Sequence, residues 1–227
     1  MFLIIQNDPE CPAGTLAELI SSAGHQFRTL AAYRDSDLSV PDGVTGIIVL
    51  GGDMGVHDTA SFPYLARVGA LMRDALASGT PLLGICLGGQ LLAHVAGGRV
   101  SSPSPHGEKG ICRVDLNEVG VGDPLFAGVQ RSFVTFQLHQ DSFTVPAGGV
   151  LLASSAACPA QAFRLGAAAY ALQFHPEVDR AIVSNWGALS TPPADYLAGF
   201  LADEEAFNDS SRTILSNFLT LACSAIP

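Results

Sequence analysis

Short apolar runs alternate with stretches of helical spacing through the first hundred residues. Runs at 2–5, 47–50 and 82–85 read as strands, and the segments at about 15–23, 64–77 and 87–95 carry the three- and four-residue apolar spacing of amphipathic helices. Such strand–helix alternation predicts a parallel sheet wrapped by helices. From about residue 113 the pattern changes. Apolar runs at 113–116, 133–138, 150–155, 160–165 and 169–174 follow with little helical spacing between them, which predicts a partly antiparallel or mixed second half. A helix is predicted at about 179–189 and a final surface helix at 211–225, with Asp203-Glu204-Glu205 as a solvated turn before it. The segment Ser101-Ser102-Pro103-Ser104-Pro105-His106-Gly107 is rich in turn formers and lacks apolar anchors, so it reads either as mobile or as an ordered lid.

With 227 residues, 48% of them apolar and 14% charged, the chain can bury a sizeable core, and a single α/β domain spanning 1–227 is expected. The net charge of −10 argues against a nucleic-acid partner or an anionic membrane surface, either of which would repel an acidic protein without a basic patch. The opening Met1-Phe2-Leu3-Ile4-Ile5 has no basic flank and stops at Gln6-Asn7-Asp8, as a first strand does and a signal peptide does not; a cytoplasmic location is expected. No apolar run approaches the roughly 20 residues of a membrane span. The five cysteines (Cys11, Cys86, Cys112, Cys158, Cys223) are scattered without a Cys-x-x-Cys, which suits a reducing compartment and excludes a cysteine zinc cluster. His25, His94 and His106 have no partners at metal spacing, so no metal site is expected.

The chemistry concentrates at Pro81-Leu82-Leu83-Gly84-Ile85-Cys86-Leu87-Gly88-Gly89-Gln90. A cysteine framed by glycines where a strand passes into a helix can be a nucleophile on a tight turn, because larger neighbours would collide with the strand or the helix. Exposed there, Cys86 would meet the positive end of the helix, and the Leu87 N–H would point to where a substrate oxyanion forms. The bland alternative is an ordinary buried cysteine. Phe174-His175-Pro176-Glu177 weighs against it. Residues two apart on an extended segment project from one face, and Pro176 keeps that segment from becoming helical, so His175 and Glu177 can act as base and orienting acid. Gly51-Gly52 is by itself only a turn signal, and His57 reads as a loop residue. His139 and Asp141 stay open between lining a site and belonging to a hydrogen-bonded loop. Arg164 reads as a brace for an acidic neighbour.

These residues resemble the class I, triad-type glutamine amidotransferases, through Gly-x-Cys-x-Gly-x-Gln at 84–90, Phe-His-Pro-Glu at 174–177 and Gly-Gly at 51–52 after a strand. The stretch His139-Gln140-Asp141-Ser142-Phe143, with Pro146 and Gln161-Ala162-Phe163-Arg164, is similar to stand-alone members resembling the amidotransferase domain of GMP synthase. The resemblance implies a flavodoxin-like open, mostly parallel sheet with helices on both faces. It implies Cys86, His175 and Glu177 as a triad, an oxyanion hole from the N–H groups of Gly52 and Leu87, and a glutamine contact from Gln90 and the main chain at Gln140 and Asp141. Relatives often carry glycine where this chain has Gln140. The implied reaction is hydrolysis of glutamine through a γ-glutamyl thioester without a cofactor, the ammonia passing to an acceptor on a separate synthase subunit, since no phosphate-binding loop is recognised here. The glycine-framed cysteine also fits a stand-alone hydrolase of γ-glutamyl compounds, a dienelactone-hydrolase-like enzyme with Asp141 as the acid, or a catalytically silent subunit.

Overall fold

A computed structural model describes residues 1–225. The strands are β1 (Phe2–Gln6), β2 (Phe27–Ala31), β3 (Gly46–Val49), β4 (Leu82–Ile85), β5 (Val100–Ser101), β6 (Glu108–Leu116), β7 (Ser132–His139), β8 (Ser142–Phe143), β9 (Gly149–Ser154), β10 (Ala162–Leu165) and β11 (Ala169–Leu172). The helices are α1 (Thr15–Ser22), α2 (Tyr64–Ser78), α3 (Leu87–Val95), α4 (Glu118–Val121), α5 (Arg180–Leu189) and α6 (Tyr196–Ser224). Nine strands form one sheet in the order β2-β1-β3-β4-β11-β10-β9-β6-β7, and β5 pairs with β8 beside it. The first five in that order are mutually parallel, and the remaining pairings are antiparallel, so only β10 and β6 run against the rest.

The central strands β3, β4 and β11 are buried along their whole length, as parallel strands covered on both faces must be. Side chains alternate between two cores. Phe2, Ile4, Ile48, Leu83 and Ile85 pack with Leu16 and Ile20 of α1 and Ile214 and Phe218 of α6. Leu3, Ile5, Ile47, Val49 and Leu82 face the other way, onto Val68 and Met72 of α2 and Leu91 of α3. Among the described residues no helix is long and apolar enough to cross a membrane. The parallel strands end along one edge, where loops from different strands converge and where sites of such sheets form.

Several elements depart from the sequence expectation. The edge strand β2 was not predicted: three of its five residues are exposed, and it needs only the β1 ladder, with Phe2 opposite Phe27. Strand β6 begins at Glu108 rather than 113, because pairing with β7 from Glu108–His139 onward extends it through mostly half-buried positions with no continuous apolar run. The expected helix at 211–225 is the second half of the 29-residue α6, and Asp203-Glu204-Glu205 lie inside it rather than in a turn. No glycine or proline breaks the chain between 200 and 224, Asp195 caps the start by accepting from the Ala198 N–H, and the Glu204 carboxylate pairs with Arg180 of α5.

Candidate active site

Cys86 sits where β4 passes into α3, with φ 50° and ψ −109°, the one non-glycine positive φ among the described residues. That conformation is strained for a side-chain-bearing residue, and the surroundings hold it. The Cys86 N–H donates to Leu172 O at 2.7 Å, and the Gln90 N–H donates to Cys86 O at 2.8 Å. Helix α3 lies directly against the strands. A methyl group at Gly88 would run into Val49 O, one at Gly84 into Gly88 O, and one at Gly89 would stand 2.7 Å from Leu172 O. The glycine frame is therefore steric, as its spacing suggested. Cys86 itself is not exposed: it is 6% accessible, with Leu138 O 3.9 Å from its sulfur and Gln173 Nε2 3.8 Å away. The ends of β7 and β11 cover the turn.

His175 and Glu177 follow β11. His175 Nδ1 lies 2.8 Å from Glu177 Oε1, and both side chains are buried. The imidazole is fixed by its own main chain, whose N–H donates to Phe136 O, and by the Trp186 indole packed edge-on at 4.8 Å between centroids. On its other side a Cβ at Gly51 would stand 3.0 Å from His175 Cε1 and 3.6 Å from Cys86 Cβ, so that glycine is what lets imidazole and thiol close around one point. Burial disfavours the imidazolium, but the Glu177 carboxylate and the Cys86 sulfur outweigh it and push the His175 pKa up to about 10. Glu177 Oε2 is buried with no hydrogen-bond partner among the described residues, so His175 is the cation that balances this carboxylate. Thr15, at the start of α1, holds the segment by donating from its N–H and hydroxyl to Glu177 O.

Gly52 and Leu87 are neighbours: a Cβ on Gly52 would lie 3.0 Å from Leu87 Cδ2. Neither N–H has an intramolecular acceptor among the described residues, while the adjacent Asp53 N–H is taken by Asp8 Oδ2. Gln90 is buried and its Nε2 reaches Asp141 O and Gln173 Oε1, each at 3.4 Å. The structure thus brings Gln90 and the Asp141 main chain together. Gln140 is less committed: its side chain is exposed and its carbonyl accepts from the Ser104 N–H. The Asp141 carboxylate stands beside Ser102, Asp58 and Gly55 and has no contact with His175; burial pushes its pKa up. The acid against the imidazole is Glu177, which disfavours the assignment with Asp141 as the triad acid. Segment 101–107 is fastened to 140–143 by the β5–β8 pairing and a 2.6 Å Ser104–Ser142 hydroxyl contact, which favours the ordered-lid reading.

Sequence reasoning missed Gln173, Trp186 and Asn7, and singled out Gly51 only with Gly52, as a turn signal and part of the resemblance. Gln173 directly precedes the Phe-His-Pro-Glu motif, so adjacency was its available signal. Nothing local marks Asn7, whose Nδ2 donates to Leu50 O from the end of β1, or Trp186 on α5. Arg164 braces the buried Asp123 at 2.8 Å. His25 contacts Cys223, His94 stacks edge-on against His57, and His106 bonds to Ala157 O, all away from the triad.

An open, mostly parallel sheet with a thiol, an imidazole and a carboxylate gathered at its strand ends is a flavodoxin-like α/β fold. The model of the family "Glutamine amidotransferase class-I" matches residues 15–181, and the chain belongs to that family. It is similar to a glutamine amidotransferase of Thermotoga maritima, with TM-score 0.86 and 25% identity over 96% of this chain and 97% of that one. It is also similar to a glutamine amido transferase of Methylobacillus flagellatus, with TM-score 0.85 and 26% identity over 100% and 95%. Among curated proteins it is 32% identical to "GMP synthase [glutamine-hydrolyzing]" of Christiangramia forsetii, over 70% of this chain and 32% of that protein. For the GMP synthase of Thermomicrobium roseum the identity is 38%, over 68% and 27%. The matched region is thus a third or less of the length of these curated relatives.

Proposed function

We propose that the chain hydrolyses the side-chain amide of glutamine, with Cys86 as nucleophile, His175 as proton carrier and Glu177 as the group that orients the imidazole. The 2.8 Å contact between His175 Nδ1 and Glu177 Oε1, with imidazole and thiol packed around Gly51, carries this reading. With Nδ1 engaged by a carboxylate, Nε2 is the nitrogen left for the thiol proton.

In the reaction, the Cys86 sulfur, its proton held on His175 Nε2, adds to the amide carbon. The carbonyl electrons move onto oxygen, and the resulting oxyanion accepts from the Gly52 and Leu87 N–H groups. Collapse of this intermediate breaks the C–N bond. His175 gives its proton to the departing nitrogen, which leaves as ammonia, and a γ-glutamyl thioester remains. Water, giving a proton to His175, attacks that thioester; the C–S bond breaks, the thiolate facing a protonated His175 is restored and glutamate leaves. Gln90 and the main chain at 140–141 hold the substrate. The ammonia goes to an acceptor on a separate synthase subunit, a reading supported by relatives named as glutamine-hydrolysing GMP synthases in which the matched region is only part of the enzyme.

Ammonia and glutamate released from glutamine by the purified chain test the proposal, together with labelling by an electrophilic glutamine analogue. One equivalent of label on Cys86 and loss of both signals in Cys86→Ala are expected. A chain that neither releases ammonia nor reacts selectively at Cys86 would be a silent scaffold.

A further inference from the structure

A second group of reactive side chains lies outside the triad. Glu108 begins β6, His139 ends β7 directly opposite it in the ladder, and Cys158 comes from the loop between β9 and β10. A carboxylate oxygen, a ring nitrogen and a sulfur from these three residues all lie within 4.8 Å of one another. The His139 side chain is fully buried and that of Glu108 is 9% accessible.

The hydrogen bonds fix what the ring can do. His139 Nδ1 is 2.9 Å from Asp141 O, and a carbonyl only accepts, so Nδ1 carries the proton. Nε2 therefore either carries a second proton or offers a lone pair. It is buried, it has no hydrogen-bond partner among the described residues, and the atom it faces is Glu108 Oε2 at 3.6 Å. Facing a carboxylate, Nε2 calls for a positive charge between the two atoms, a second ring proton or a metal ion. At 3.6 Å the separation is too long for an N–H···O bond but leaves room for an ion that both atoms could ligate. No lysine or arginine pairs with Glu108 among the described residues. The surroundings hold each donor in place. Ser155 Oγ donates to the Glu108 carboxylate and accepts from the Cys158 N–H, Gln161 Nε2 donates to Glu108 Oε2, and the His139 Nδ1–H···O=C bond is the kind of outer contact that orients a metal-bound imidazole.

We propose that Glu108, His139 and Cys158 form a binding site for a divalent cation of the zinc class. Imidazole with thiolate selects zinc-like ions over magnesium or calcium, which prefer all-oxygen sites. Binding exchanges the Cys158 thiol proton, released to solvent, for a sulfur–metal bond, and the metal takes lone pairs from His139 Nε2 and Glu108. The ion would tie the start of β6, the end of β7 and the 155–158 loop together. Through His139 it would also steady the Asp141 carbonyl that Gln90 reaches. Local motif spacing could not reveal such a set, because its members are about twenty to thirty residues apart.

The test uses the full chain carrying Cys86→Ala, because Cys86, His175 and Glu177 offer the same donor types. After chelator treatment it is titrated with zinc(II) and separately with cobalt(II). The expected results are one equivalent of zinc bound, a rise in melting temperature on binding, and a near-ultraviolet thiolate-to-cobalt absorption band. Adding Cys158→Ser should abolish the band and weaken zinc binding at least about tenfold. Should that variant fail to fold, Glu108→Gln serves instead, with the same expected loss of zinc affinity. Absence of a stoichiometric site overturns the proposal, as does a cobalt band or zinc affinity unchanged by these substitutions.

Discussion

At Cys86, strained geometry and chemistry coincide. Replacing its thiol by the alanine methyl should leave the turn intact and remove glutamine hydrolysis by about four orders of magnitude or more, measured as ammonia release with circular dichroism as the folding control; a tenth of the wild-type rate would contradict a covalent mechanism. Glu177→Gln keeps shape but takes away the charge facing His175 Nδ1, so kcat should fall about a hundredfold or more, while Asp141→Asn, whose carboxylate faces Ser102 and Asp58, should act mainly on KM. The reverse pattern would move the acid role to Asp141. His175 also leaves a signature in stability. Its pKa rises from 6.5 in the unfolded chain to about 10 in the fold, so the stabilisation it brings is complete below pH 6.5 and is lost as pH rises towards 10. The stability gap between wild type and His175→Gln in urea melts should therefore narrow across that interval, and a gap constant with pH would contradict the Glu177–His175 ion pair. Cys86, His175 and Glu177 were legible in sequence because each sits in a short motif whose spacing has a steric or geometric reason. Trp186 was not, because what brings it to His175 is the packing of α5, which no local pattern encodes; Gln173 is marked only by its place directly before the Phe-His-Pro-Glu motif.

The approach of α3 to the sheet decides which small residues are indispensable among the elements. Gly88→Ala would drive a methyl group into the Val49 carbonyl and should cost several kcal/mol or prevent folding, whereas Gly199→Ala, exposed on α6 with nothing within 4 Å of the new methyl, should raise stability by about 0.5–1 kcal/mol. Chemical denaturation of the two variants checks both; equal effects would mean that α3 is not packed against β3 as described. The strands and helices of the first hundred residues were readable because buried parallel strands are continuously apolar and their covering helices are amphipathic. Strand β2 escaped because an edge strand half open to solvent carries no such run, and α6 was cut short because an acidic triplet was taken for a break. Charge alone does not end a helix. Glu204 points to Arg180 from the outer face, while Phe200 and Phe207 on the inner face keep the helix seated against Val134 and Phe136.

For the molecule as a whole, the change from parallel to antiparallel pairing past β11 was foreseeable from the crowding of strands after residue 113, but the strand order was not, since β6 and β7 lie outside β9 although they precede it in the chain. That order puts the end of β7 over Cys86 and helps to explain a thiol that is only 6% accessible. A covered thiol beside a loop, 140–143, tethered to a second segment, 101–107, suits the proposed glutamine site working at full rate only when docking adjusts that cover, because hydrolysis without an acceptor wastes glutamine. The isolated chain should therefore hydrolyse glutamine slowly, and a synthase-type partner should raise kcat at least about tenfold, equivalent to about 1.4 kcal/mol of barrier. Steady-state kinetics with glutamine and with γ-glutamyl peptides, run with and without candidate partners, decide the matter. Fast unassisted turnover of a peptide, well above that of glutamine, would replace the amidotransferase role by a stand-alone γ-glutamyl hydrolase while leaving Cys86, His175 and Glu177 in the same chemical parts, since thioester formation and hydrolysis need the same thiol, imidazole and carboxylate whichever amine departs.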